Sequence, residues 1–184
     1  GGEIAMRVAA GWPERVERIA LVASVSGDRV PTLPVTPLVK PFLPVFSRLF
    51  GKRMLRASFY DKSRMTEEIW EAYHRPSLIR GSMDGLYKIM QHTRKDPKIK
   101  YEEIVAPVLL MFAQHEAIVP GWMRNRLRKR FPYAETAVID DAGHLLLQER
   151  PAECNAVLRR FLDAGVQKTR AVVPESVDAL AEAS

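Results

Sequence analysis

Three short apolar runs constrain this chain more than any other feature of its sequence. Residues 19–23, 107–112 and 136–139 are each too short for a buried helix, and the second holds an unbroken series, Val108-Leu109-Leu110-Met111-Phe112. Short continuous runs, partly β-branched, suit strands of a parallel sheet that is covered on both faces. Segments with helical periodicity lie between them, so the order reads strand, helical insertion, strand, helix, strand, helix. That alternation implies parallel strands joined by right-handed crossovers: an α/β fold with about three parallel strands, flanking helices and an inserted helical segment. Three strands are few for a sheet that must be covered on both faces.

The helical patterns locate the rest. Residues 3–11 predict a helix with Glu3 in its first turn and an apolar stripe of Ile4, Val8 and Trp12 beside the small Ala5 and Ala9; Gly11 and Pro13 end it. From residue 27 to 103 no convincing strand occurs. Prolines 31, 34, 37, 41 and 44 punctuate a segment in which Leu38, Phe42, Phe46 and Phe50 recur every four residues, with Pro41 and Pro44 breaking or kinking any regular helix there. Thr66 caps a helix leading to Ile69, Trp70 and Tyr73, and Ser82 starts another with Leu86, Ile89 and Met90 inward. Met123, Leu127 and Phe131 mark a surface helix, and Pro151 opens a last one with Cys154, Val157, Leu158, Phe161 and Leu162 inward. The chain divides into a first piece of core over 1–26, a helical insertion over 27–103, the remaining core over 104–164 and a flexible tail over 165–184 with a short helix near 177–183.

Composition limits the function classes. At 184 residues and 47% hydrophobic, the chain suffices for one ordinary domain with a core. Its 28 basic residues exceed the 22 acidic ones by a net charge of +6, but the two signs are interspersed, which describes a solvated surface and not a nucleic-acid interface. Arg124, Arg126, Arg128, Lys129 and Arg130 form the outer face of the helix whose inner face is already accounted for. The sole cysteine, Cys154, cannot form an internal disulfide and reads as a small core residue in a reducing cytoplasm. No apolar run reaches membrane-spanning length and no signal sequence is evident, so membrane contact is not expected; the apolar insertion is the one part suited to touch lipid. No His/Cys cluster has metal-ligand spacing, and no cofactor is expected.

The residues with chemistry gather after the strands. His144 sits in Asp140-Asp141-Ala142-Gly143-His144, where Gly143 lets the backbone turn tightly and hold the ring over a pocket. Glu116 lies in the loop after the preceding strand, on the carboxyl edge where open α/β sheets place their sites. Neighbouring parallel strands are about 5 Å apart, so the carboxylate is in reach of the imidazole. Asp28, after the first strand, is the reserve acid; Asp140 and Asp141 are turn formers; His115 is structural, and His74 and His92 lie in the insertion without metal-ligand spacing.

Several segments resemble the α/β-hydrolase family. Gly1-Gly2-Glu3-Ile4-Ala5 looks like the end of its Gly-x-Ser-x-Gly-Gly nucleophile elbow, and Pro13-Glu14-Arg15-Val16 with the following strand resembles what comes next. Residues 107–120 resemble the acid-bearing strand and loop, and Asp141-Ala142-Gly143-His144 the histidine loop, in the family's order, while the insertion resembles its helical cap. Two departures stand out: Glu116 occupies a position where Asp is usual, and Ala113 one where Gly is common. The resemblance, nearest to the lid-bearing serine esterase and C–C bond hydrolase branch, implies acyl transfer with His144 as base and Glu116 as its acid. It places the nucleophile two positions before Gly1 and both oxyanion-hole amides ahead of this chain, which would then be the C-terminal portion of a hydrolase and inactive by itself. It implies a small, apolar, ester-like substrate in a pocket drawn from Phe46, Phe50, Val119 and Leu145, the insertion's aromatic residues packing the cap first. The alternatives are an Asp-nucleophile epoxide hydrolase or dehalogenase, and a non-catalytic binding protein of the same fold; no oligomeric state is implied.

Overall fold

The structure, a computed structural model, describes residues 1–25, 37–92 and 98–165. Asp28 and the expected tail helix lie outside the described residues. Ten-residue helix α1 (Gly2–Gly11) leads to strand β1 (Ile19–Val22). A helical insertion follows with α2 (Leu43–Ser58), α3 (Glu67–His74) and α4 (Ser82–His92). Then come β2 (Val108–Ala113), α5 (Gly121–Arg130), β3 (Glu135–Ile139), the short α6 (Leu146–Glu149) and α7 (Pro151–Asp163). The three strands are parallel in the order β1-β2-β3, with Ile19 opposite Val108 and Leu109 opposite Glu135.

The expected parallel sheet is present, and β2 explains why it forms. All six of its residues are buried, and their alternation feeds two cores. Val108, Leu110 and Phe112 pack with Met6, Ala9, Leu127 and Phe131 beneath α1 and α5. Leu109, Met111 and Ala113 pack with Ala142, Leu146, Cys154 and Phe161 beneath α6 and α7. Its neighbours are less covered: β1 alternates buried and half-buried residues, and in β3 Ile139 alone is buried. A strand with a neighbour on one side only has less apolar surface to share, which is why the continuous-burial pattern applies to β2 and not to these two.

Three helices turn differently from the periodicity reading. In α1 the inward residues are Met6 and Ala9, while Ile4, Val8 and Trp12 are exposed. The helix starts hard against the end of β1, where a Cβ on Gly2 would lie 1.7 Å from Ser24 Oγ. The face that this start turns inward packs the flexible Met6 and the small Ala9 with Ile19 and Leu21 of β1. In α4 Tyr87 is buried and both Leu86 and Ile89 are exposed, and in α7 Leu162 is exposed while Cys154 and Phe161 are inward. The first described element of the insertion is a 3-10 segment, Pro37–Phe42, that accommodates Pro41; Pro44 then sits in the first turn of α2, where its missing N–H leaves no bond unmade. Phe42, Phe46 and Phe50 are exposed instead of packing the insertion, and the last two stack on each other at 4.9 Å. Thr66 caps α3 as expected, its Oγ1 accepting from Ile69 N at 3.2 Å. No helix among the described residues is long and apolar enough to cross a membrane.

Candidate active site

Adjacent strands bring the two candidate residues together. Gln114 N donates to Ile139 O at 2.9 Å and His115 N to Ala142 O at 3.0 Å, so the loops after β2 and β3 run as one unit beyond the sheet. Gln114 Oε1 also accepts from Asp141 N at 3.1 Å. From these loops His144 Nδ1 lies 2.9 Å from Glu116 Oε2 and 3.1 Å from Oε1. The Glu116 side chain is 1% exposed and that of His144 28%, so the acid is sealed and the ring is reachable. Burial alone would push the Glu116 carboxyl up; the hydrogen bond to His144 and the amides of Val119 and Ile118 outweigh it and hold it below the usual carboxylate range. Those amides donate to Oε1 at 3.0 and 2.7 Å, folding the longer glutamate arm back against its own loop. An ionised carboxylate can only accept, so the Nδ1 facing it carries the proton and Nε2 keeps its lone pair. The pair can therefore take a proton at Nε2 and stabilise the resulting imidazolium through Glu116.

The histidine loop is shaped by two residues with distinct tasks. The left-handed turn falls on Asp141, at φ +46°, a conformation that Asp tolerates better than most residues. Gly143 meets a different demand: a Cβ there would lie 2.6 Å from both Ser58 O and Tyr60 N, so only glycine lets the insertion's backbone lie against the loop. The carboxylate that joins them is Glu149, which is 2% exposed. Its oxygens accept from Gly143 N at 2.7 Å, Tyr60 N at 2.9 Å and Asp61 N at 3.0 Å, and its own carbonyl accepts from Arg64 Nη1 at 3.0 Å. Sequence reasoning missed Glu149. Its one signal was an acidic residue in the apolar stretch Leu145-Leu146-Leu147-Gln148-Glu149, which becomes informative once the amides around it are known.

A cavity of about 430 Å³ opens beside the ring, lined by His144, Leu145 and Ile118 from the loops and by Met54, Leu55 and Trp70 among others from the insertion. Leu145 stands where a pocket residue was expected. Val119 is buried and contributes its amide to Glu116, while its neighbour Ile118 reaches the cavity. Phe46 and Phe50 are not among the lining residues and stack on the exposed side of α2.

The model of the alpha/beta hydrolase family matches residues 1–157. This chain belongs to the alpha/beta hydrolase family. Over 174 residues it is 28% identical to a 2-hydroxy-6-oxononadienedioate/2-hydroxy-6-oxononatrienedioate hydrolase of Burkholderia vietnamiensis, covering 88% of this chain and 59% of the relative. A pimeloyl-(acyl-carrier protein) methyl ester esterase of Nitrosomonas europaea is 24% identical over 162 residues, covering 78% of this chain and 61% of the relative. The chain thus spans about three fifths of the length of the curated relatives that it matches. Among solved structures, a meta-cleavage product hydrolase from Pseudomonas fluorescens IP01 shares the fold with a TM-score of 0.70 at 20% identity, covering 89% of this chain and 61% of that one.

Other residues singled out in the sequence take structural places in this alpha/beta hydrolase fold. Gly1 O accepts from Ala5 N at 3.0 Å, so the two glycines open α1 at the carboxyl edge of β1. His115 stacks on Tyr60 with ring centroids 4.0 Å apart. His74, which has no metal-ligand spacing in the sequence, lines the cavity and stacks on Trp70. The Cys154 thiol is fully buried, and burial pushes it up, away from thiolate chemistry. In α5, Arg128 lies 4.8 Å over the Phe112 ring and Arg130 5.0 Å over that of Tyr101, so part of the basic face covers the core edge.

Proposed function

We propose that His144 and Glu116 are the base and the acid of a nucleophile-histidine-acid triad that hydrolyses a small, largely apolar ester or related acyl compound, with the helical insertion acting as its cap. The observation that carries this reading is the 2.9 Å contact from His144 Nδ1 to a sealed carboxylate, at the mouth of a mostly apolar cavity. The names of the relatives support hydrolysis, though not the apolar character of the substrate: one is a hydrolase of a 6-oxo diacid and another is a methyl ester esterase. On this reading Nε2 accepts the proton of the nucleophile as its oxygen attacks the substrate carbonyl, and the protonated ring then gives that proton to the leaving group. A water molecule, deprotonated by the same nitrogen, attacks the acyl-enzyme; the acid is released and the nucleophile recovers its proton. The nucleophile belongs to the elbow whose end Gly1 and Gly2 resemble.

Hydrolysis of a series of p-nitrophenyl esters tests the reading. In the protein that carries the elbow, His144→Ala is expected to lower kcat by roughly 10³-fold or more, with a smaller loss in Glu116→Gln. An unchanged rate in His144→Ala would sink the proposal. If the 184-residue chain alone hydrolyses the ester and loses that rate in His144→Ala, the nucleophile lies within it and the elbow placement fails.

A further inference from the structure

The cavity beside His144 does not end at an apolar wall. It abuts a second cavity of about 390 Å³, lined by Pro44, Arg48, Leu78 and Met83, and three side chains, Ser47, His74 and Ser77, line both. We propose that this waist is a binding station for a hydroxyl group carried part-way along an otherwise apolar substrate chain, with His74 Nε2 and the Ser47 hydroxyl as its partners.

The hydrogen bonds of His74 determine which chemistry the waist accepts. Ser77 Oγ lies 2.6 Å from His74 O, and a carbonyl can only accept, so the Ser77 proton is committed to that bond. Ser77 Oγ also lies 3.2 Å from His74 Nδ1, so the ring nitrogen must be the donor there. A neutral ring protonated at Nδ1 has an acceptor lone pair at Nε2. No hydrogen-bond partner of Nε2 occurs among the described residues, and it is absent from their sealed, unpartnered atoms, so it is reachable. Stacking on Trp70, with centroids 4.6 Å apart and planes 12° from parallel, holds the ring in place. Ser47 makes no side-chain hydrogen bond among the described residues and offers a donor as well as an acceptor. A hydroxyl matches both groups, giving its proton to Nε2 and accepting from Ser47. A carboxylate would face a lone pair at Nε2. Met54, Leu55, Ile118 and Leu145, with Ser58 and Tyr73 beside them, line much of the rest of the first cavity and suit an apolar chain on the way to His144. That this chain is a substrate rests on the hydrolase reading; the station itself does not.

Binding without turnover tests it, by NMR titration of the 184-residue chain with 4-phenylbutan-2-ol, whose hydroxyl lies within the chain, and with its methyl ether, which keeps the oxygen and removes its proton. The alcohol is expected to bind about fivefold tighter, the worth of one well-placed hydrogen bond. In His74→Phe, which keeps a flat ring over Trp70, the ratio should fall to about one with the affinity for the ether within about twofold. Ser47→Ala, a separate change, should lower the ratio as well, and His144→Ala should leave it unaltered. Equal affinity for the two probes in the unaltered chain, or a ratio that survives both His74→Phe and Ser47→Ala, would overturn the proposal. An alcohol preference found together with undiminished ester hydrolysis in His144→Ala would remove the catalytic assignment and leave the station standing.

Discussion

At the scale of single residues, the environment of Glu116 makes its charge a matter of stability as well as chemistry. Its carboxyl is held below the usual carboxylate range, so its folded-state value lies under its unfolded one. A depressed acid contributes stability that is complete above the unfolded value and is lost as the pH falls through the folded one. Urea midpoints measured from about pH 7 down to about pH 3 should therefore fall less steeply for Glu116→Gln than for the unaltered chain; parallel curves would show that the charge is not engaged. Cys154 supplies an independent check on packing. Because its thiol is fully buried and shifted upward, iodoacetamide at neutral pH should label it only after unfolding, as read by mass spectrometry. Both candidate site residues could be found in the sequence because each stands a few positions beyond an apolar run. Glu149 could not be found so directly: a buried carboxylate is defined by the amides that surround it, and those of Tyr60 and Asp61 come from residues far away in the chain.

At the scale of elements, Glu149 fastens the insertion to the histidine loop, and the fastening can be broken from either side. Glu149→Ala leaves the buried amide of Gly143 and the part-buried amides of Tyr60 and Asp61 without their acceptor, and should cost about 3 kcal/mol in urea unfolding. Trypsin cleavage after Lys62 should quicken in the same variant, because the Asp61 amide loses its carboxylate acceptor, while the Arg64 bond to the backbone carbonyl of residue 149 remains. Gly143→Ala drives a methyl group into backbone atoms that cannot rotate away, at an expected cost of about 1 to 3 kcal/mol. A cost near zero would mean that the insertion does not lie against the loop. The helices themselves could be placed from periodicity and caps, but their rotation about their axes could not. Ile4, Val8 and Trp12 have ideal spacing and still face outward, because α1 starts with Gly2 against the end of β1 and presents Met6 and Ala9 to the core.

For the molecule as a whole, β2 is the axis of the fold. It is covered by helices on both faces and paired on both edges, so its amides should exchange with deuterium most slowly, with those on the outer edges of β1 and β3 exchanging sooner. Uniform protection across the sheet would contradict that arrangement.

The parallel α/β order, the helical insertion and the positions of Glu116 and His144 after their strands were determined by the sequence itself. Each depends on local pattern: the length of an apolar run, a cap, a loop just past a strand. The tertiary structure alone decided which face of each helix is buried, that Glu149 holds insertion and loop together, and that His74 and Ser47 border the cavity while Phe46 and Phe50 do not. Those outcomes depend on how closely backbones distant in sequence approach one another, as at Gly143, and no local pattern encodes that distance.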